Sequence, residues 1–296
     1  MEKLDKDTLA KWNQQGLIPG PKETEENYIN RAHFCFDLEH HLIKEVGSEL
    51  PFNVSDRATQ EILHESYPKT ENYYGITPQW TPVFFSNYQL TSWHGGCAWI
   101  FQLNESTPTA SFLQLRAQFR NKETYLGIYR RSELIAHELS HVGRMMYQEP
   151  QFEEILAFQS STSSFRRWLG PIVQSSKESL FFILLLGVII LADLAVITLD
   201  HSYSHQGLFW LKWLPVAVVA LALSRLGWRH LQFNRCLKKL ETIYGNKHTA
   251  QHLTYRFLDS EIKFFASSSI ESIKNFISEQ QTKSFRWHFL ATLYPL

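Results

Sequence analysis

The hydrophobic pattern changes period several times along these 296 residues, and each change predicts a different kind of element. Residues 1–17 are polar with helical spacing, and Gly16-Leu17-Ile18-Pro19-Gly20-Pro21 ends them in a turn. From 23 to 46 apolar side chains recur at helical intervals, which predicts one long helix with Tyr28, Ile29, Ala32, Phe34, Leu38, Leu42 and Ile43 facing inward. A second helix is expected over 55–64. Between 80 and 130 the pattern is that of short strands at 81–85, 97–101, 110–116 and 124–129, rich in aromatic residues and separated by Gly, Asn, Ser and Pro. Helical spacing then returns. Ser132 is expected to cap a helix with Glu133 in its first turn, and Leu134, Ile135, Leu139, Val142, Met145 and Met146 give it a broad apolar surface. Gln148-Glu149-Pro150-Gln151 breaks the chain, and another helix is expected from Phe152.

Periodicity disappears over 180–199, where Asp193 is the one charged residue in an otherwise apolar run. About 20 such residues suffice to cross a bilayer core. A second apolar run, 208–223, follows a polar loop, with Lys212 between Trp210 and Trp213 as an interfacial anchor would be. Together they predict a transmembrane helical hairpin. Asp193 is expected to reach the interface or to meet Lys212, and His201 and His205 in the loop read as solvated. Arg166, Arg167 and Lys177 precede the first run, and Arg225, Arg229, Arg235, Lys238 and Lys239 follow the second. The positive-inside rule then assigns both termini and the soluble parts to the cytoplasm. Beyond the hairpin, a basic helix over 228–243, an N-cap at Asp259 for a helix over 260–266, and an amphipathic helix over 269–280 are expected. These pieces are too short for a core of their own and should pack on the N-terminal part. The expected organisation is an α+β soluble domain at 1–172, the hairpin at 178–224 and a C-terminal helical segment at 225–296.

Composition narrows the function classes. Lys and Arg total 29 and Asp and Glu total 29, so no bulk charge points to nucleic acid. Cys35, Cys97 and Cys236 are odd in number and widely spaced, which fits a reducing compartment. Met1-Glu2-Lys3-Leu4-Asp5 has no apolar signal core, so the Asn-x-Ser sites at Asn53 and Asn104 are not expected to carry glycans. These features are compatible with an integral protein of a bacterial inner membrane.

The candidate chemistry lies in His137-Glu138-Leu139-Ser140-His141. On a helix, residues i and i+4 share a face, so the two imidazoles can grip one Zn²⁺ while Glu138 acts as general base for water. A catalytic zinc usually has a third protein ligand, and Glu153 and Glu154 are the nearest downstream carboxylates.

This H-E-x-x-H…E arrangement resembles the gluzincin group of zincin metallopeptidases. In several such families the ligand glutamate stands in an E-x-x-A context, which Glu154-Ile155-Leu156-Ala157 matches. The resemblance therefore implies His137, His141 and Glu154 as ligands of one Zn²⁺ per chain and Glu138 as catalytic base. Glu153 and Arg144 would support them from behind. It further implies a zincin-like domain, a small mixed sheet before the motif helix. The edge strand of that sheet, here Gly95, Gly96, Cys97, Ala98 and Trp99, would pair with an extended peptide. An acidic residue often follows E-x-x-A; Phe158 stands there in this chain. The chain also differs from membrane gluzincins related to CaaX prenyl proteases, in which the ligand glutamate follows the spans. The implied activity is peptide-bond hydrolysis at the membrane, on peptide or protein substrates that include membrane-associated ones. The competing expectation is an inactive, membrane-tethered scaffold that keeps the fold. No spacing singles out an oxyanion donor; His94, His252 and Tyr255 are the candidates.

Overall fold

The computed structural model describes residues 4–42, 54–172, 176–198 and 210–296, and it is a mixed α+β, mainly helical protein. Ile43, Asn53, His201 and His205 lie outside the described residues. Helix α1 (Lys6–Gln14) is capped by Asp5, whose carboxylate accepts from the Thr8 N–H at 2.7 Å. The long helix expected over 23–46 is broken. It forms α2 (Glu25–Phe36) and a short α3 (Leu38–His41), because Asp37 leaves the helical region at φ −103°. Tyr28, Ala32, Phe34, Leu38 and Leu42 are buried, and Ile29 is partly buried.

Of the helix expected over 55–64, only the last turn forms. A 3-10 turn covers Val54–Asp56, Arg57 bridges to Phe84, and the Ala58 N–H donates to the Val83 carbonyl at 2.8 Å. These backbone bonds to a strand compete with helical ones, and only α4 (Glu61–His64) remains. Helix α5 (Tyr67–Tyr74), which the sequence pattern did not suggest, follows it.

Strands β1 (Val83–Phe85), β2 (Gly96–Phe101) and β3 (Ala110–Leu115) form a sheet in the order β1-β3-β2, parallel across β1/β3 and antiparallel across β2/β3. The central β3 is buried throughout, and β2 is an edge. Gly96 is required where the strands meet, since a Cβ there would collide with the Gln114 carbonyl. The single strand expected over 124–129 is instead a tight hairpin of β4 (Thr124–Tyr125) and β5 (Tyr129–Arg130). Leu126 (φ 52°) and Gly127 (φ 70°) are the central residues of its turn, which the Ile128 N–H closes by donating to the Tyr125 carbonyl at 3.2 Å.

The motif helix α6 (Arg131–Gly143) follows directly. It starts one residue before Ser132, with Arg130 at the N-cap and no side-chain cap, because the β5 backbone leads straight into the first turn. Leu134, Ile135, Leu139 and Val142 are buried, as is Met145 just past the helix; Met146 is partly buried. Helices α7 (Glu153–Ala157), α8 (Ser164–Leu169) and α9 (Ser176–Thr198) come next. Then α10 (Leu214–Tyr244) runs unbroken from apolar to basic sequence, across the boundary expected at 224. Helices α11 (Lys247–Tyr255), α12 (Asp259–Ser267), α13 (Ile270–Gln280) and α14 (Phe285–Leu293) complete the chain.

One core joins both ends of the sequence. Tyr28 packs against Phe285 and Phe289 with ring centroids 5.4 and 5.8 Å apart, and Leu9, Leu139, Ile155, Phe257 and Leu290 belong to the same cluster. Within α9, Leu180–Thr198 is the one helix segment among the described residues long and apolar enough to cross a membrane, and it is almost wholly exposed. Asp193 on α9 pairs with Lys212 at 3.0 Å, and Glu178 at its other end pairs with Arg225 of α10 at 2.7 Å.

Candidate metal centre

His137 and His141 stand one turn apart on α6, and their Nε2 atoms approach to 3.4 Å. Helix α7 brings Glu154 across from them. Its carboxylate oxygens lie 3.6 Å from His137 Nε2 and 3.8 Å from His141 Nε2. Donors about 2.0–2.1 Å from a tetrahedral zinc stand roughly 3.3 Å from each other, so these three need to close by only a few tenths of an ångström. Two imidazoles and a carboxylate also match the donor chemistry of zinc. His137, His141 and Glu154 are the group of potential metal ligands found among the described residues, and all three side chains are partly exposed.

Glu153 faces the other side of His141. Its Oε1 lies 3.0 Å from His141 Nδ1, and its Oε2 accepts from Arg144 Nε at 2.7 Å. Arg144 is fully buried and donates onward to the carbonyls of Tyr255 and Phe257. A carboxylate on Nδ1 fixes the ring so that Nε2 points to the shared site. Phe158, which sequence reasoning did not place at the site, packs edge-on against His137 with centroids 4.7 Å apart.

Glu138 is buried between α6 and the sheet, where its Oε2 accepts from the Ala98 N–H at 2.8 Å. Main-chain groups alternate sides along a strand, so Gly96 and Ile100 point to the same free side of β2 as Ala98. The unpaired edge of the sheet therefore runs past the carboxylate next to the His pair. Gly95 precedes the strand, and its carbonyl accepts from the Arg116 N–H at 2.8 Å. Cys97 and Trp99 turn their side chains to Gln114.

Charges in this cluster are strongly coupled. Burial, with the charges of His141 and Arg166, holds the His137 imidazole well below its usual range, which favours the neutral ring with one unprotonated nitrogen. Burial also opposes charge on His141, but Glu153, Glu154 and Glu138 outweigh it and lift the ring to about 9. Burial, reinforced by Glu154, pushes Glu138 up to about 7. Glu154 is raised for the same reasons, by burial and by Glu153. Glu153 is held low, because Arg144 and His141 overcome its burial. The site thus holds carboxylates whose repulsion a cation would relieve.

The helix that carries Glu154 is held from elsewhere in the chain. Asp259 was expected to cap its own helix, but it lies inside α12, whose N-cap is Leu258 with Glu261 returning to the Leu258 N–H. The Asp259 carboxylate instead accepts from the N–H groups of Gln151 and Phe152, at 2.8 and 3.1 Å, where α7 begins. Tyr74 Oη donates to the carbonyls of Leu156 and Ala157 at its other end. The three residues considered as oxyanion donors are engaged away from the His pair. Tyr255 is buried behind α6, donating to the Ser140 carbonyl at 2.6 Å; His252 meets the Asn72 carbonyl; His94 meets Thr91.

No protein-family model, no curated protein and no solved structure matches this chain.

Proposed function

We propose that the chain is a zinc-dependent metallopeptidase anchored in a membrane, with a zincin-like arrangement of sheet and motif helix. The observation that carries this reading is the convergence of Glu154 on the two Nε2 atoms of His137 and His141, with Glu138 beside them but outside the donor set. A purely structural metal site has no use for that extra buried carboxylate. A zinc ion held by His137, His141 and Glu154 would supply Lewis acidity toward a carbonyl and lower the pKa of a water. Glu138, whose carboxylate titrates near neutrality, takes the proton of the attacking water and returns it to the leaving amine. Glu153 and Arg144 keep the His141 ring in its orientation. The free side of β2 can pair with an extended peptide, whose backbone would take over the Ala98 N–H from Glu138.

Membrane anchoring by two spans belongs to the same proposal. Helix α9 and the apolar first part of α10 would form a transmembrane hairpin, with both termini and the site in the cytoplasm. The Asp193–Lys212 and Glu178–Arg225 pairs support it, since they hold the two helices antiparallel over about 22 Å. The substrate would be a peptide or protein near the bilayer.

The test is zinc content together with hydrolysis of a fluorogenic peptide library by detergent-purified protein, wild type beside Glu138→Gln. The expected result is about one zinc per chain in both and hydrolysis lower by roughly 10²–10⁴-fold in the variant. Zinc without any hydrolysis in the wild type would favour a scaffold, and a folded wild type that takes up no zinc would end the metallopeptidase reading.

A further inference from the structure

The β4–β5 hairpin and helix α8 expose large apolar side chains where a water-soluble surface would carry polar ones. Leu126 is 59 % exposed, Ile128 60 %, Phe165 70 % and Trp168 46 %. The two elements are joined, because Arg166 of α8 donates to the Ile128 carbonyl at 3.1 Å. The hairpin tip projects freely: a Cβ on Gly127 would meet nothing within 4 Å. Leu126 holds a left-handed conformation, where Asn or Gly is usual and a bulky side chain is strained. A strained backbone that presents a leucine to solvent marks a position kept for something other than stability.

The position of α8 along α10 indicates what covers these side chains. Trp168 stacks on His230 with ring centroids 6.1 Å apart, and His230 Nε2 lies 2.9 Å from the Trp168 carbonyl. His230 follows Arg225, the partner of Glu178 at the base of the apolar helix pair, by five residues. That is about 7.5 Å along the helix. The polar layer on each face of a bilayer is roughly 5–7 Å thick outside its hydrocarbon core. The surface is also basic. Arg130 is exposed, and Arg167 donates to the neutral oxygens of Ser161, Thr162 and Ser164.

We propose that the hairpin tip and α8 form a second membrane contact, in which Leu126, Ile128, Phe165 and Trp168 enter the interfacial layer while Arg130 and Arg167 face anionic lipid headgroups. Aromatic side chains and arginines suit that layer. The inference rests on the reading of α9 as a span. It deepens the proposed function, because α6 leaves the hairpin directly and His137 stands about 9 Å along it from Arg131. The substrates it selects are polypeptide segments lying at the bilayer surface, within reach of a site clamped there at two points.

The experiment uses full-length protein in phosphatidylcholine vesicles with one quarter phosphatidylglycerol. An environment-sensitive fluorophore is attached at Leu126→Cys, Phe165→Cys, Val188→Cys or Lys283→Cys, with labelled wild type setting the background from native cysteines. The labels at 126 and 165 should shift to the blue and be quenched at least twofold by lipids brominated just below the headgroup. The label at 188, within α9, should be quenched by lipids brominated deep in the chain, and the one at 283 by neither. Labels at 126 and 165 as wet as the one at 283, with 188 quenched, would overturn this inference and leave the span. A blue shift at 126 and 165 without quenching would assign the surface to contact between copies of the chain and also overturn it. An unquenched label at 188 would remove the span and the second contact together.

Discussion

Replacing Asp259 with alanine should loosen a helix that lies 107 residues earlier in the chain. Helix α7 has Phe152 at its N-cap and no side-chain cap of its own, so the carboxylate of Asp259 is its cap, delivered by the fold. Loss of an N-cap costs about 1–2 kcal/mol, and buried N–H groups left without acceptors cost about 1–3 kcal/mol. These costs overlap, and a value near 3 kcal/mol is expected for Asp259→Ala. Asp259→Asn keeps one of the two acceptor oxygens but turns an NH2 donor toward the other N–H, so it should recover only part of the loss, about 1 kcal/mol of it. Urea denaturation of the metal-free protein and zinc competition against a chromophoric chelator divide the loss. If α7 opens alone, zinc affinity falls roughly 100-fold, the equivalent of about 3 kcal/mol, while the unfolding midpoint barely moves. If the whole domain shares the loss, the midpoint falls and zinc affinity holds. Asp259→Ala that changes neither quantity would refute the capping argument.

Glu153→Gln should keep zinc with an affinity about 10–100-fold lower, because it orients His141 without facing the shared site, whereas Glu154→Ala should abolish tight binding; equal loss in the two would sink that division of roles. His252, packed against Gly75, is held down at about 4 by burial and by Arg256. The unfolded chain therefore takes up a proton below about 6.5 that the folded chain refuses, so stability falls as pH drops from there toward 4. The wild type should lose about 1–2 kcal/mol more than His252→Gln over that window, after allowance for solvent screening, and parallel denaturation curves at both pH values would contradict this. Leu126→Asn should raise stability in detergent by about 1 kcal/mol by relieving the left-handed leucine, measured as a higher denaturation midpoint; a lower midpoint would show that Leu126 contributes packing.

Local patterns announced the elements whose partners lie nearby. The buried run 110–115 and the aromatic edge strand could be read directly, as could α6, because alternation and 3.6-residue spacing are properties of the segment itself. The misreadings occur where a distant backbone intervened. Residues 55–60 have acceptable helical spacing, but Arg57 and Ala58 bond to the β1 backbone and leave the helix only its last turn. Thr124-Tyr125-Leu126-Gly127-Ile128-Tyr129 has a strand composition, yet Gly127 inside it was the one local sign of a hairpin turn. Helices α5 and α8 carry no long apolar stripe, and their ends are held by Gly75 and by contacts to α10 rather than by their own periodicity.

The candidate site divides along the same line. The spacing of His137 and His141 is sufficient to put both rings on one face, whatever the rest of the chain does. The choice between Glu153 and Glu154 is different in kind. Adjacent helical residues point about 100° apart, so one turns to His141 Nδ1 when the other turns to both Nε2 atoms. A rotation of α7 about its axis would exchange their roles without altering any local preference. Its rotation is set by Asp259 at one end, by Tyr74 at the other and by Arg144, which draws Glu153 toward the carbonyls of Tyr255 and Phe257. Those partners come from segments before and far after the motif. The identity of the third candidate ligand is therefore a property of the assembled fold, and the C-terminal segment that supplies Tyr255, Phe257 and Asp259 is as much a part of the site as the helix that carries the histidines.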